Sequence, residues 1–321
     1  GLADTSYAPR AAWQDRLAVS YGSSGPLATP GSNQAPAVSL YSTARDQARF
    51  LAAVLGAPGA GLPQNVTRAA LAGMLAPQNT GVPLDMDLRV GLGWNLNRPA
   101  FGPAGTVAWN FGRLAGFRSL AMVNPRAGLG VVVLANSSSA EEPRNSMIDR
   151  VADEAMRAAM AARGVSPLPV APAAPCRVLP LEDVTRNYAT ILAVVKVGPG
   201  KGGRPVIRLD GKNLDLEPSG EGVYGVKYQV LGLTLYDVTK NQDGLRFSFA
   251  QEAGSTWLVL HQGGERELFG LKVEPFSVTP GWQARLGKWK IEGQGDDLPM
   301  VRELTLREED GLVLYEARSE E

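Results

Sequence analysis

The apolar residues of the segment 117–135 fall into two runs, which the pentapeptide Asn124–Gly128 separates. Pro125 restricts one backbone φ there, and Gly128 tolerates the left-handed conformation that a tight connection needs. The pattern predicts a β-hairpin, and a further run at Thr106–Asn110 predicts a third strand that enters it. We therefore expect three sequential antiparallel strands within residues 106–136.

Apolar residues recur at helical spacing on either side of these strands. Thr43 is placed to cap a first helix, with Asp46 near the positive end of its dipole. We expect helices at about 43–55, 64–76 and 144–163, the last packed on the sheet and the others to one side of it. The expected apolar positions are Ala44, Ala48, Leu51 and Leu55 in the first helix and Ile148, Val151, Ala152, Ala155, Met156, Ala159 and Met160 in the last.

Short motifs follow one another in a definite order along the first 137 residues. They are Gly-Leu-Ala-Asp-Thr at 1–5, Tyr-Ser-Thr-Ala-Arg-Asp at 41–46, Gly-Leu-Gly-Trp at 91–94, Asn-Phe-Gly-Arg-Leu-Ala-Gly-Phe at 110–117 and Leu-Ala-Asn-Ser at 134–137. This ordered set resembles the penicillin-recognising serine hydrolases: class C β-lactamases, D-alanyl-D-alanine carboxypeptidases, D-aminopeptidases and related esterases. The resemblance implies an α+β fold, the C-terminal part of a β-lactamase/transpeptidase-like fold with an antiparallel sheet and flanking helices.

The family's two proton-transfer motifs are absent from the chain. No Ser-x-x-Lys and no Tyr-x-Asn occurs, and the first lysine is Lys196. The near match Ser42–Arg45 ends in arginine, whose pKa is too high for a general base. In the family both motifs precede the segment that Gly1–Thr5 resembles. We therefore expect a member cut off on its amino-terminal side, without a catalytic nucleophile and inactive alone.

The resemblance assigns three candidate substrate-binding and oxyanion residues. Asn110 stands where the family has His or Lys, and it is either an uncharged hydrogen-bond donor to substrate or an ordinary polar residue of the strand. Gly112 allows a ligand to approach the backbone closely. Arg113 aligns with a residue whose N–H helps to form the oxyanion hole. Arg113 and Arg118 either replace part of the missing positive charge or are solvated.

The second half of the chain has a different pattern. Four prolines within residues 165–175 predict a semi-rigid linker at 165–176, between domains at 1–164 and 177–321. Short apolar strands with a turn at Glu217–Gly220 follow, which favours an antiparallel barrel or sandwich. The segment 282–290 resembles the opening of the lipocalin-like modules appended to many of these hydrolases, and whether the module is complete stays open. The expected strands are 188–197, 206–209, 214–216, 225–230, 234–238, 245–249, 257–261, 267–273, 302–307 and 312–317.

Composition excludes several classes of function. The 321 residues carry a net charge of +0, which gives no general attraction to nucleic acid. No apolar run is long enough for a membrane span. The single Cys176 excludes an internal disulfide, and no metal site or phosphate-binding loop is expected, so we predict no cofactor. The lone His261 is expected to be structural. Export of relatives with β-modules suggests a periplasmic or extracellular location, and the oligomeric state stays open.

Two functions from different classes remain. The first is a serine hydrolase that cleaves amide, ester or β-lactam bonds of a small-molecule or peptide substrate through an acyl-enzyme. The second is a non-catalytic protein that binds a peptide or glycan. We further expect residues 1–165 expressed alone to be poorly soluble, with an apolar groove lined on one wall by Asn110, Gly112 and Arg113. Residues 177–321 alone are expected to be more soluble.

Overall fold

The computed structural model describes residues 1–22, 24–27, 39–60, 66–114, 116–137, 147–170, 176–190, 193–209, 212–230, 233–237, 245–262, 264–292 and 301–318. The amino-terminal part is built on a three-stranded sheet with helices. Its elements are β1 (Ser20–Gly22), β2 (Gly25–Leu27), α1 (Ala44–Val54), α2 (Arg68–Met74), β3 (Ala108–Leu114), β4 (Phe117–Asn124), β5 (Leu129–Ala135) and α3 (Met147–Ala162).

The three antiparallel strands expected within 106–136 are present in the order β3-β4-β5. Successive side chains of β4 point to opposite faces of this sheet. Leu120 and Met122 pack against α3, whose fully buried residues include Ala152 and Met156. On the other face, Val123 packs against Leu51 of α1. Helices therefore cover both faces, and the sheet is the centre of the amino-terminal part.

The predicted helices form, but their buried faces differ in part from the expected ones. Thr43 caps α1 by accepting a hydrogen bond from the Asp46 N–H at 3.2 Å. Ala44 and Ala48 are exposed, because the buried positions of α1 are Asp46, Leu51 and Val54. In α3 the buried stripe is narrower than predicted and leaves Val151 and Ala155 exposed. Residues 64–65 and 144–146 of the predicted helices lie outside the described residues.

An antiparallel barrel follows the linker. A short helix, α4 (Leu181–Val184), precedes nine strands: β6 (Arg186–Thr190), β7 (Val194–Pro199), β8 (Pro205–Leu209), β9 (Lys212–Gly220), β10 (Val223–Val230), β11 (Leu233–Asp237), β12 (Arg246–Glu252), β13 (Ser255–Gln262) and β14 (Glu265–Val273). Eight of them close a ring, since β14 pairs with β6 and β9 pairs with β10. Strand β11 pairs with β10 outside this ring.

Apolar side chains fill the barrel, as far as the structure describes them. Tyr188, Leu216 and Leu258 are almost fully buried in one cluster with Phe247 and Phe249. The Tyr188 hydroxyl donates to the Val184 carbonyl at 2.9 Å, so α4 is bound to the same core. Burial also raises the pKa of Tyr188. The barrel is therefore a packed core.

Two details of the second half differ from the predicted pattern. The run 188–197 is not one strand but the hairpin β6–β7, with Tyr188 opposite Val195. Residues 217–220 form no turn, because they lie in β9 and pair with β10 around an irregular register. Of the predicted linker, 171–175 lie outside the described residues, whereas Leu168 donates its N–H to the Phe101 carbonyl at 3.2 Å.

A separate sheet ends the described chain. The short helix α5 (Pro280–Gln283) leads into β15 (Gly287–Lys290), which pairs with β16 (Glu303–Glu309). Strand β17 (Leu312–Arg318) completes three antiparallel strands. An ion pair between Lys196 and Asp310 joins this sheet to the barrel.

Candidate functional site

Strand β3 lies at the border of its sheet, because β4 is the only described strand that pairs with it. Trp109 uses its outward N–H and C=O to pair with Asn95, with both N···O distances at 2.8 Å. Backbone groups of alternate residues point the same way along a strand, so those of Phe111 and Arg113 also point away from β4. We call this side of residues 109–113 the outer edge.

The side chain of Asn110 folds across the outer edge. Its Nδ2 donates to the Gly93 carbonyl at 2.7 Å, and its Oδ1 accepts from the Phe111 N–H at 2.7 Å. Asn110 therefore joins the Gly-Leu-Gly-Trp turn to β3. A lysine ammonium cannot reproduce this arrangement, since it has no acceptor for the Phe111 N–H. The residue at position 110 therefore decides whether this point of the edge carries a positive charge and whether the Phe111 N–H has a side-chain acceptor.

Gly112 is required by close packing across the sheet. It lies opposite Ser119 of β4, and a Cβ atom on Gly112 would stand 2.4 Å from Ser119 Oγ. Gly91, in the neighbouring turn, is more tightly enclosed, because its Cβ would stand 2.3 Å from the Met74 carbonyl oxygen. Gly112 therefore has a packing reason in addition to the expected approach of a ligand, and Gly91 has a packing reason of its own.

The pleat of β3 separates Arg113 from the other two candidates. Asn110 and Gly112 lie on the face of Ala108, which packs toward α1, whereas the Arg113 side chain lies on the face of Trp109. Arg113 is paired in register with Arg118, whose pKa is lowered by burial and then by the Arg113 charge. The two guanidiniums therefore do not supply a cation beside Asn110, and only the Arg113 backbone shares the outer edge with Asn110.

Two of the sequence motifs come together at the start of α1. Ser6 and Tyr41 exchange backbone hydrogen bonds of 3.0 and 2.9 Å. The buried carboxylate of Asp46 accepts from the Asp4 N–H at 2.8 Å and the Thr5 hydroxyl at 2.9 Å. Burial alone would raise the pKa of Asp46, but these hydrogen bonds and Arg49 lower it. The motifs at 1–5 and 41–46 therefore form one structural unit, which orders the first residues.

Two features that were not predicted flank the outer edge. Asn97 holds the loop before β3, since its carbonyl accepts from Trp109 Nε1 at 2.7 Å. Phe111 stacks on Trp109 with ring centroids 6.0 Å apart and is 57% exposed. Trp109 and Phe111 are two residues apart, and on a strand this spacing predicts that both rings lie on the same face of the sheet. No local pattern marked Asn97.

His261 lies in the barrel, far along the chain from the outer edge. Its Nε2 is 2.7 Å from the Ser248 hydroxyl and 3.8 Å from Cys176 Sγ. Burial lowers the pKa of His261, and the charges of Arg266 and Arg246 add to this effect while Asp87 opposes it. The histidine is thus partly buried beside Ser248 and Cys176, and its structural role stays a prediction.

Among the described residues, no three His, Cys, Asp or Glu side chains lie close enough together to hold a metal ion. No helix in the described ranges combines the length and apolar character that a membrane crossing requires.

Comparison with known proteins finds a similarity over the first part of the chain. The family model described as Beta-lactamase matches residues 1–156. No curated protein gives a significant match. One similar solved structure is SurE, 16% identical with a TM-score of 0.46 over 80% of this chain and 55% of that chain. A SurE structure with D-Leu is 16% identical, with a TM-score of 0.44 over 73% and 50%.

A third solved structure is the octameric penicillin-binding protein homologue from Pyrococcus abyssi. It is 18% identical, with a TM-score of 0.42 over 85% of this chain and 57% of that chain. The chain thus spans about half the length of these three proteins.

Proposed function

We propose that residues 1–156, a β-lactamase-like domain, form the substrate-binding side of a serine hydrolase of the β-lactamase and penicillin-binding type. Such an enzyme acylates a serine with an amide, ester or β-lactam and then hydrolyses the acyl-enzyme. The substrate would lie along the outer edge of β3, in contact with Asn110, Gly112 and the backbone of Arg113. The Ser-x-x-Lys nucleophile is not among the 321 residues, so this chain alone binds substrate without turning it over.

The direction of the backbone groups on β3 is the observation that carries this proposal. An extended amide or peptide can pair with an exposed strand edge through main-chain hydrogen bonds. A backbone N–H aimed at a developing oxyanion stabilises it whatever the side chain, so an arginine at position 113 is compatible with that role. The match of residues 1–156 to the Beta-lactamase family supports the reaction class.

A non-catalytic role in binding a peptide or glycan is the second candidate. Asn110 brings no charge to the position where the resembling hydrolases carry a cation. The exposed ring of Phe111, stacked on Trp109, offers an apolar surface beside the edge. Such a surface suits the apolar face of a sugar or of a peptide side chain.

For the second half we propose a lipocalin-like module and a periplasmic or extracellular location. The closed ring of eight antiparallel strands supports the first part of this proposal. Because described side chains such as Tyr188 and Leu258 fill the ring, we assign the module a structural role rather than ligand transport.

The first experiment measures turnover by the 321-residue chain. We expect no hydrolysis of nitrocefin or p-nitrophenyl acetate above buffer and no covalent labelling by a fluorescent penicillin, because no serine has a lysine one turn away. Labelling of one specific serine, mapped by mass spectrometry, would overturn this expectation.

The second experiment measures binding and separates the two candidates. Asn110→Lys introduces the missing cation, so the affinity for the carboxylate of benzylpenicillin should rise about threefold to tenfold at low salt and fall again at high salt. Asn213→Lys adds the same charge to an exposed site on the barrel and serves as the matched control. Equal affinities for both variants, together with binding of an uncharged oligosaccharide or peptide, would favour the non-catalytic role.

A further inference from the structure

The barrel contacts the β-lactamase-like domain at the start of β14. The Arg266 N–H and Nε both donate to Asp87 Oδ2 at 2.9 Å, and Nη2 donates to Oδ1 at 2.8 Å. The Asp87 N–H faces the Arg266 carbonyl at 3.4 Å. The two side chains are only 25% and 28% exposed. This two-point contact between partly shielded charges fixes both distance and orientation.

Asp87 connects this contact to the loop before β3 through further hydrogen bonds. We call residues 85–97 the connecting segment. Its Asp87 carbonyl accepts from Asn97 Nδ2 at 2.6 Å, and the Asn97 carbonyl accepts from Trp109 Nε1 at 2.7 Å. Asn95 pairs with Trp109 through two backbone hydrogen bonds of 2.8 Å. A continuous chain of hydrogen bonds therefore runs from Arg266 of the barrel to the outer edge.

The connecting segment has a conformation that needs external support. Met86, the residue before Asp87, adopts a φ of 46°, which is uncommon outside glycine. Such conformations persist where the surroundings hold them. Burial alone would raise the pKa of Asp87, but hydrogen bonds and the charge of Arg266 lower it, so the carboxylate stays ionised and bound.

We infer that the barrel holds the proposed substrate edge in place, with Arg266 as a positioning residue that acts on β3 through Asp87, Asn97 and Trp109. The inference rests on the proposed function, because a bound substrate is what gives the position of the edge a purpose. That position can nevertheless be measured without any ligand. Arg266 touches no reacting atom in this scheme. Its effect is to keep the connecting segment against β3, so that Asn110 can bridge Gly93 and Phe111.

Amide hydrogen exchange of the full 321-residue chain tests the placement. In Arg266→Met, which keeps the apolar stem and removes the charge, exchange at the Asn95 and Trp109 amides should rise about tenfold. The amides within β4 and β5 should not change. Arg186→Met, which removes an exposed barrel ion pair with Glu274, is the matched control and should leave Trp109 unaffected. Arg266→Lys should restore part of the protection.

A second variant and a ligand measurement keep the test decisive. Asp87→Ala removes the same ion pair from the other side and should reproduce the exchange pattern if Arg266→Met folds poorly. On the parent chain, in which Asn110 makes this bridge, Arg266→Met should weaken benzylpenicillin binding without changing the thermal melt of the barrel. Unchanged exchange at Asn95 and Trp109 in both single variants would overturn the inference. Increased exchange with no ligand binding in any variant would instead refute the proposed function and leave the positioning contact established.

Discussion

Replacement of Gly112 by alanine tests whether this glycine serves packing, ligand approach or both. The added Cβ would stand 2.4 Å from Ser119 Oγ, whereas the Ser119 Cβ would be at an ordinary 3.8 Å. All of the overlap therefore involves one hydroxyl oxygen. Overpacking of a well-packed site costs typically about 1–3 kcal/mol. Because the Ser119 hydroxyl can rotate to another rotamer, we expect a loss of about 1 kcal/mol in the free energy of unfolding.

The double variant Gly112→Ala/Ser119→Ala removes the overlapping oxygen and should recover most of that loss. Urea unfolding followed by tryptophan fluorescence gives the four free energies of the cycle, and we expect a coupling of about 1 kcal/mol between the two positions. A double variant as unstable as Gly112→Ala alone would show that the cross-strand overlap is not the cause.

The same double variant isolates the functional role of Gly112. It restores the packing while it leaves a methyl group on the face of β3 that also carries Asn110. If Gly112 lets a ligand approach the strand, the stabilised double variant should still bind more weakly than the parent chain. Unchanged affinity would assign Gly112 to packing alone.

Three further predictions concern stability. Gly91→Ala should destabilise the chain more than Gly112→Ala. Its added Cβ would stand 2.3 Å from the Met74 carbonyl oxygen, a backbone atom that cannot rotate away. A smaller loss in the free energy of unfolding, measured in urea, would contradict this. Met156→Ala, at a position with 0% exposure, should cost about 2–5 kcal/mol, and calorimetry should place the lost stability in the amino-terminal part rather than the barrel. Because burial lowers the pKa of His261, the histidine takes up a proton at a higher pH in the unfolded chain than in the folded one. The free energy of unfolding should therefore fall as the pH drops below about 6.5, and His261→Gln should reduce this pH dependence. An unchanged pH dependence in His261→Gln would refute the role given to this histidine.

Local features of the chain were predictable where their causes are local. Thr43 caps α1 as expected, because the capping group and its partner Asp46 are three residues apart. The burial of Asp46 was not predictable, since it depends on the first residues of the chain binding its carboxylate. The run 188–197 has no strong turn residue to divide it, and its apolar pattern fits one long strand as well as the observed hairpin.

The candidate site shows the same limit more strongly. The resemblance placed Asn110, Gly112 and Arg113 on one strand, and the structure does so. The partners of their groups are distant in sequence: Asn110 binds a carbonyl 17 residues away, and Arg266 binds Asp87 across 179 residues. Side-chain pairing over such separations is decided by the assembled fold and leaves no periodic signal in the sequence.

The direction of the side chains on β3 also constrains which ligands the outer edge can select. Asn110 is neutral, and the pleat turns Arg113 and Arg118 to the opposite face of the sheet. A ligand carboxylate beside Asn110 would therefore meet an amide that already donates one N–H to Gly93, and it would meet neither the Arg113 nor the Arg118 side chain. The Phe111 carbonyl and the backbone N–H and C=O groups of Arg113 remain the chief means of recognition, and they bind an extended amide irrespective of its charge. As it stands, the edge is thus better suited to the main chain of a peptide-like ligand than to a terminal carboxylate, and Asn110→Lys is the change that should reverse this preference.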